Sequence, residues 1–147
     1  VEGPIVLSGH SAGGHLVTAM MCEDSPLPEG VRARLAHVVS ISGLHDLRPL
    51  MRTARNSALR LDRASAEAAS PALKQPLPGI RLTAWVGGGE RQEFIRQTEL
   101  IANIWHGLGA LTLAVVEPDR HHFNVIDGLM RAGSPLMRAA LDPLPGD

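Results

Sequence analysis

The stretch LSGHSAGGHL, residues 7–16, constrains the fold more than any other part of this chain. Ser11 stands between Gly9 and Gly13, with His10 and Ala12 completing a G-x-S-x-G pattern. Ahead of it lies the apolar run Ile5, Val6, Leu7. Its β-branched residues, bounded by Gly and Pro, predict a short buried strand over residues 5–8. Behind it, Leu16, Val17, Ala19, Met20 and Met21 recur at mixed three- and four-residue spacing, which predicts a buried helix. A strand that turns sharply into a helix, with serine at the apex, is the setting in which such a serine acts as a nucleophile. The apex serine is expected in a strained backbone conformation. A Cβ on either flanking glycine is expected to crowd the strand or the helix. The helix N-terminus beneath the serine favours negative charge developing there. The bland alternative is a glycine-rich turn with a spectator serine. The strand before and the helix after weigh against it.

Three further apolar runs read as strands: residues 36–42 (AHVVSIS), 81–86 (RLTAWV) and 111–116 (LTLAVV). They are continuous, not alternating, as suits strands buried on both faces of a parallel sheet. Helical sequence between them makes βαβ units. Residues 92–107 form the clearest helix, with Phe94, Ile95, Leu100, Ile101 and Ile104 apolar between charges. Ser70-Pro71 and Ser134-Pro135 read as N-cap plus first-turn pairs of short helices. Phe123 is expected to start an apolar helix, FNVIDGLM. Residues 47–69, rich in Arg and Ala, are expected to be helical and to cover the site as a cap. Residues 76–79, Pro-Leu-Pro-Gly, are a linker into the third strand.

Composition excludes several classes. The chain has 147 residues, a net charge of −1 and 44% hydrophobic residues, which fits one domain with a real core. No basic patch suggests nucleic acid, and no long apolar run suggests a membrane span. The expected partner is a small-molecule substrate, with no nucleic acid and no membrane. Homo-oligomer formation is left open, and a cytoplasmic location is the expectation. Cys22 is the one cysteine, so no internal disulfide forms; it reads as a small buried apolar residue.

In an open parallel sheet, functional groups collect beyond the carboxyl ends of the strands. Ser11 follows the first strand. Ser42, Gly43, His45 and Asp46 follow the second, and Glu90 follows the third. Asp119, His121 and His122 follow the fourth. Serine, acid and histidine in that chain order are what a nucleophilic triad on such a sheet needs. A serine hydroxyl is a poor nucleophile until a neutral imidazole takes its proton. A buried carboxylate orients that imidazole and tolerates its transient charge. Of the adjacent histidines only one can point inward, and His122 is the better placed. Glu90, Asp119 and Asp46 stay open as the acid. His10 is expected to line the pocket or pack the turn, and His15 to lie on the helix. Neither their spacing nor that of His121 and His122 matches a zinc pattern, so no metal and no cofactor is expected.

The segments GHSAGGHL, SISGLHDLRPL, SPAL, VGGGERQEFIRQTELIANIW and HHFNVIDGL…SPL occur in one order along nearly the whole chain. In that order they resemble the arylformamidases (kynurenine formamidases) of the α/β-hydrolase superfamily. The elbow is common to the superfamily, whereas SGLHDLRPL and EF-x-RQ are more particular. The resemblance implies an α/β fold of about four parallel strands with flanking helices. It implies Ser11 as nucleophile, His122 as base and Glu90 at the acid position, where aspartate is more usual. Asp46 then closes the loop after the second strand. The implied reaction is hydrolysis of an N-formyl arylamine to formate and free amine through a formyl-enzyme. The N–H of Ala12 is one oxyanion donor, and an H-G-G loop on an earlier strand supplies the others.

The sequence begins, at Val1, in the strand that feeds the elbow. Residues 1–147 are accordingly expected to be the C-terminal half of an α/β-hydrolase domain roughly twice as long, with the first strand left exposed. A carboxylesterase or lipase-like hydrolase on the same fold is the alternative function, and an inactive half-domain remnant is another. Arg52, Arg55 and Arg60 are candidates to meet a substrate carboxylate, though exposed helix arginines are ordinarily just solvated.

Overall fold

The computed structural model describes residues 2–141. Four strands form one parallel sheet in the order β1-β2-β3-β4: Ile5–His10, Leu35–Ile41, Arg81–Gly87 and Leu111–Glu117. Each strand pairs with its predecessor in the chain, as βαβ connections produce. The register aligns His10 with Ile41, Ile41 with Trp85, and Trp85 with Val115. The carboxyl ends of all four strands therefore lie level, and the loops leaving them meet along one edge.

Helix α1 (Ala12–Ala19) follows β1, and a single turn, α2 (Glu29–Arg32), precedes β2. Helix α5 (Gln92–His106) joins β3 to β4 and ends within a residue of the expected position. Its buried face, Gln97, Thr98, Ile101, Ala102 and Trp105, repeats at helical spacing. The region after β2 is helical only in pieces: a 3-10 turn over Arg48–Arg52, α3 (Asn56–Leu59) and α4 (Arg63–Ala68). Asp62 and Ser65 cap α4 reciprocally. Ser70 braces this region to the loop after β2. Its Oγ accepts from Leu47 N at 2.8 Å and donates to Ala66 O at 2.6 Å. It therefore does not cap the 3-10 turn Pro71–Leu73, as the Ser-Pro pair had suggested. Ser134 does cap α6 (Pro135–Leu141), accepting from Met137 N at 3.0 Å.

The sheet has a core on each face. Met21, Cys22, Val38, Leu82, Ala84, Ile101 and Trp105 fill one. Val39, Ile41, Trp85, Val125 and Leu136 fill the other. Adjacent residues Val38 and Val39 enter opposite cores, as the strand period of two requires. Each fully buried side chain of this size contributes about 1.5–3 kcal/mol relative to exposure. The two inner strands are thus buried on both faces.

Three expectations need correction. Strands β1 and β4 are not buried on both faces: Val6 is 43%, Leu111 48% and Leu113 41% exposed. Among the described residues they are the two ends of the sheet, and nothing pairs beyond either. Helix α1 turns its small residues to the sheet: Leu16 is 58% exposed, whereas Gly14 and Thr18 are buried. Of the other expected residues, Val17 is part-buried against the core and Met21, just past the helix, is fully buried. The helix lies so close to β2 that a Cβ on Gly14 would stand 2.8 Å from both Gly43 Cα and Ser40 Oγ. Finally, Phe123 starts no helix. The 3-10 turn Val125–Met130 begins two residues later, anchored by buried Val125 and Gly128.

Candidate active site

The elbow adopts the strained turn that its pattern predicts. Ser11 sits at φ 56°, ψ −114°, a region in which a residue with a Cβ is rare. Its N–H donates to Ile41 O at 2.8 Å, which ties the apex to β2. Gly9 is required sterically, because a Cβ there would run into the carbonyl of Gly13. Gly13 is not, since a Cβ on it would meet nothing within 4 Å. The crowding expected at Gly13 falls instead on Gly14, against β2 and Gly43. Ala12 is the first residue of α1, so its N–H has no acceptor within the helix. That leaves it able to donate to an oxygen beside Ser11.

The loops after β3 and β4 bring the remaining groups together. Gly88 N–H donates to Glu117 O at 2.7 Å and Gly89 N–H to Arg120 O at 2.8 Å. A Cβ on Gly87 would strike the Arg120 carbonyl, which accounts for a glycine at this crossing. Glu90 comes next, with its side chain wholly buried. Its Oε1 accepts from Ser42 Oγ at 2.5 Å and from Gly87 N at 3.0 Å. Its Oε2 lies 2.7 Å from His122 Nδ1, and His122 Nε2 lies 3.1 Å from Ser11 Oγ. A carboxylate at Nδ1 holds the proton on that nitrogen. Nε2 is then left to accept from the serine hydroxyl.

The imidazole of His122 is also hemmed by rings. His10 lies at 4.6 Å between centroids, Phe94 at 4.5 Å and Phe123 at 5.5 Å, the last edge-on at 84°. Burial, and next the neighbouring His122, hold His10 below the ordinary histidine pKa. It therefore stays neutral beside the site. Its Nε2 is buried with no hydrogen-bond partner among the described residues.

The other candidates lie elsewhere. His121 is exposed, and its Nδ1 accepts from Phe123 N at 3.2 Å. Asp119 is exposed in the turn after β4, at φ 58°. Asp46 pairs through both oxygens with Arg48, at 2.9 and 3.0 Å. That hydrogen bonding holds its carboxyl below the usual aspartate range. Gln97 clamps the same loop, accepting from the N–H groups of His45 and Asp46 and donating to Asp46 O. His15 Nε2 bonds Ala69 O at 2.8 Å, away from His10. No group of three or more metal-ligating side chains occurs among the described residues. Arg52, Arg55 and Arg60 are exposed. Cys22 is buried, and burial pushes its thiol up to about 12.

Three contributors escaped the sequence reading. Phe94 looked like one more apolar residue of α5. Ser42 stood at a strand end without an assigned task, and its φ of 49° turns its hydroxyl towards Glu90. Gln97 was visible only as part of the EF-x-RQ stretch.

Geometric parallels come from hydrolases. A solved structure from Silicibacter sp., provisionally described as a thioesterase, superposes with a TM-score of 0.86 at 44% identity, over 95% of this chain and 51% of that one. An esterase/lipase from an uncultured bacterium superposes at 0.64 with 21% identity, over 92% of this chain and 50% of that one. An acylaminoacyl peptidase superposes at 0.68 with 14% identity, over 95% and 22%. The fold is that of the α/β-hydrolases. In sequence this α/β-hydrolase chain is similar to kynurenine formamidases. It is 27% identical over 134 residues to that of Salmo salar and 26% over 131 residues to that of Danio rerio. It spans 45% and 44% of those two proteins. No family model matches.

Proposed function

We propose that Ser11, His122 and Glu90 form the triad of a serine hydrolase that removes the formyl group from an N-formyl arylamine such as N-formyl-L-kynurenine. The observation that carries this reading is the unbroken relay from Ser11 Oγ to His122 Nε2 and from His122 Nδ1 to Glu90, with the serine at a strained apex. The formamidase assignment leans on the similarity to kynurenine formamidases.

The mechanism follows from the geometry. Ser11 Oγ attacks the formyl carbon while His122 Nε2 takes its proton. The carbonyl oxygen gains the charge, and Ala12 N–H donates to it. The C–N bond breaks as Nε2 returns the proton to the leaving nitrogen, freeing the arylamine and leaving a formyl ester on Ser11. Water then adds to that ester, giving its proton to Nε2. Formate departs as Ser11 Oγ regains the proton. Glu90 orients the ring and offsets the imidazolium charge.

A second reading, a carboxylesterase or thioesterase, draws on the Silicibacter structure and the esterase neighbours. Fold and triad serve both, because substrate choice lies in the pocket. The test compares kcat/KM of the full-length protein on N-formyl-L-kynurenine with that on short p-nitrophenyl esters. Faster formamide turnover, abolished in Ser11→Ala, is the expected result. Much faster ester turnover overturns the formamidase reading and leaves the esterase one.

A further inference from the structure

We propose that Phe123 determines specificity for the leaving group, its ring receiving the aromatic portion of the substrate as His122 passes that group a proton. The inference rests on the serine-hydrolase reading above and deepens it.

The chain has two phenylalanines and no tyrosine, and both phenylalanine rings lie against His122. They do so differently. Phe94, on α5, is part-buried and tilted at 37° to the imidazole, as is His10 at 42°. The two imidazole nitrogens are taken by Ser11 and Glu90. These four neighbours suffice to hold His122, so Phe123 is not needed for that purpose. Its ring stands edge-on at 5.5 Å and is 81% exposed. An exposed phenylalanine forgoes about 1.5–3 kcal/mol of burial. Among the described residues nothing covers this ring beside His122.

Its placement is fixed by the backbone. Phe123 N–H donates to His121 Nδ1, and Val125, two residues on, is fully buried. The ring is held against His122 by a pinned loop. The reaction supplies the second half of the argument. His122 Nε2 must come within about 3 Å of the leaving atom to protonate it. The proposal places an aryl ring attached directly to that atom within aromatic pairing range of Phe123, about 4.5–7 Å between centroids. An alkyl group there gains contact area but no ring–ring geometry. The ligand class is an aryl amine or aryl alcohol carried as its acyl derivative.

The test uses the full-length protein with two substrate pairs, phenyl against cyclohexyl formamides and phenyl against cyclohexyl acetates. Wild type, Phe123→Leu and Phe123→Tyr are compared by kcat/KM, with thermal melting in parallel. Phe123→Leu is expected to lower the phenyl-over-cyclohexyl ratio by about two- to tenfold, the size of an aromatic pair. Phe123→Tyr is expected to keep the ratio. A ratio unchanged in Phe123→Leu overturns the inference. So does a parallel fall on both substrates with a lowered melting temperature, because the ring would then be packing. If only acetates are hydrolysed, the formamidase reading fails while the acetate pair still reads Phe123. If neither class is hydrolysed, both readings fall.

Discussion

His45 offers the sharpest test of the interior behind the elbow. Its side chain is fully buried, its Nε2 is 3.4 Å from Ser40 Oγ, and its Nδ1 has no partner among the described residues. Burial, and secondarily His15, press its pKa down to about 3. The unfolded chain takes up a proton here as the pH falls through about 6.5, whereas the folded chain resists until about 3. The stability contributed by this neutral histidine is therefore complete above pH 6.5 and is lost progressively as the pH falls towards 3. Between pH 7 and pH 5 linkage makes the loss about 2 kcal/mol. The assay is urea unfolding at pH 7, 6 and 5, followed by fluorescence of the buried Trp85 and Trp105. His45→Gln cannot titrate and should lose that part of the slope, whatever its stability at pH 7. His10 and His37, also lowered by burial, contribute equally to both proteins and cancel. Equal losses in wild type and variant between pH 7 and pH 5 would refute the reasoning.

Other perturbations probe the site. Gly9→Ala drives a methyl group into the Gly13 carbonyl and should cost about 1–3 kcal/mol, whereas Gly13→Ala, in open space, should change stability by less than about 0.5 kcal/mol; melting of the two variants checks the contrast. Ser42→Ala removes one of the two donors to Glu90 Oε1 and should lower kcat about tenfold while KM holds, because a net hydrogen bond to a charged group is worth about 1.5–3 kcal/mol. Cys22, with its thiol pushed up to about 12, should resist iodoacetamide at pH 8 in the folded protein and react on unfolding; rapid alkylation under native conditions would contradict its burial.

The sheet and the elbow were legible because they rest on local signals. Continuous β-branched runs placed all four strands to within a few residues, and the register puts their carboxyl ends level. Chain order pointed to Ser11 and His122 and left Glu90, Asp119 and Asp46 open as the acid; the family resemblance implied Glu90, and it is Glu90 that meets the other two. What stayed hidden depends on long-range contact. The exposure of β4 reflects its place at the edge, which its apolar sequence does not reveal. The small face of α1 follows from its close approach to Gly43 and Ser40, 26 or more residues away in sequence. The ring of Phe94 reaches His122 only because α5 begins beside the loop after β3, and Ser42 reaches Glu90 only through a left-handed turn.

The triad itself is tested most directly by fluorophosphonate labelling of the full-length protein, with the adduct located by peptide mass spectrometry. One adduct on Ser11, formed rapidly in wild type and slowed by about 1,000-fold or more in His122→Gln, is the result predicted from the 3.1 Å contact between Oγ and Nε2. An adduct on another residue, or labelling of Ser11 that ignores the loss of His122, would contradict the account.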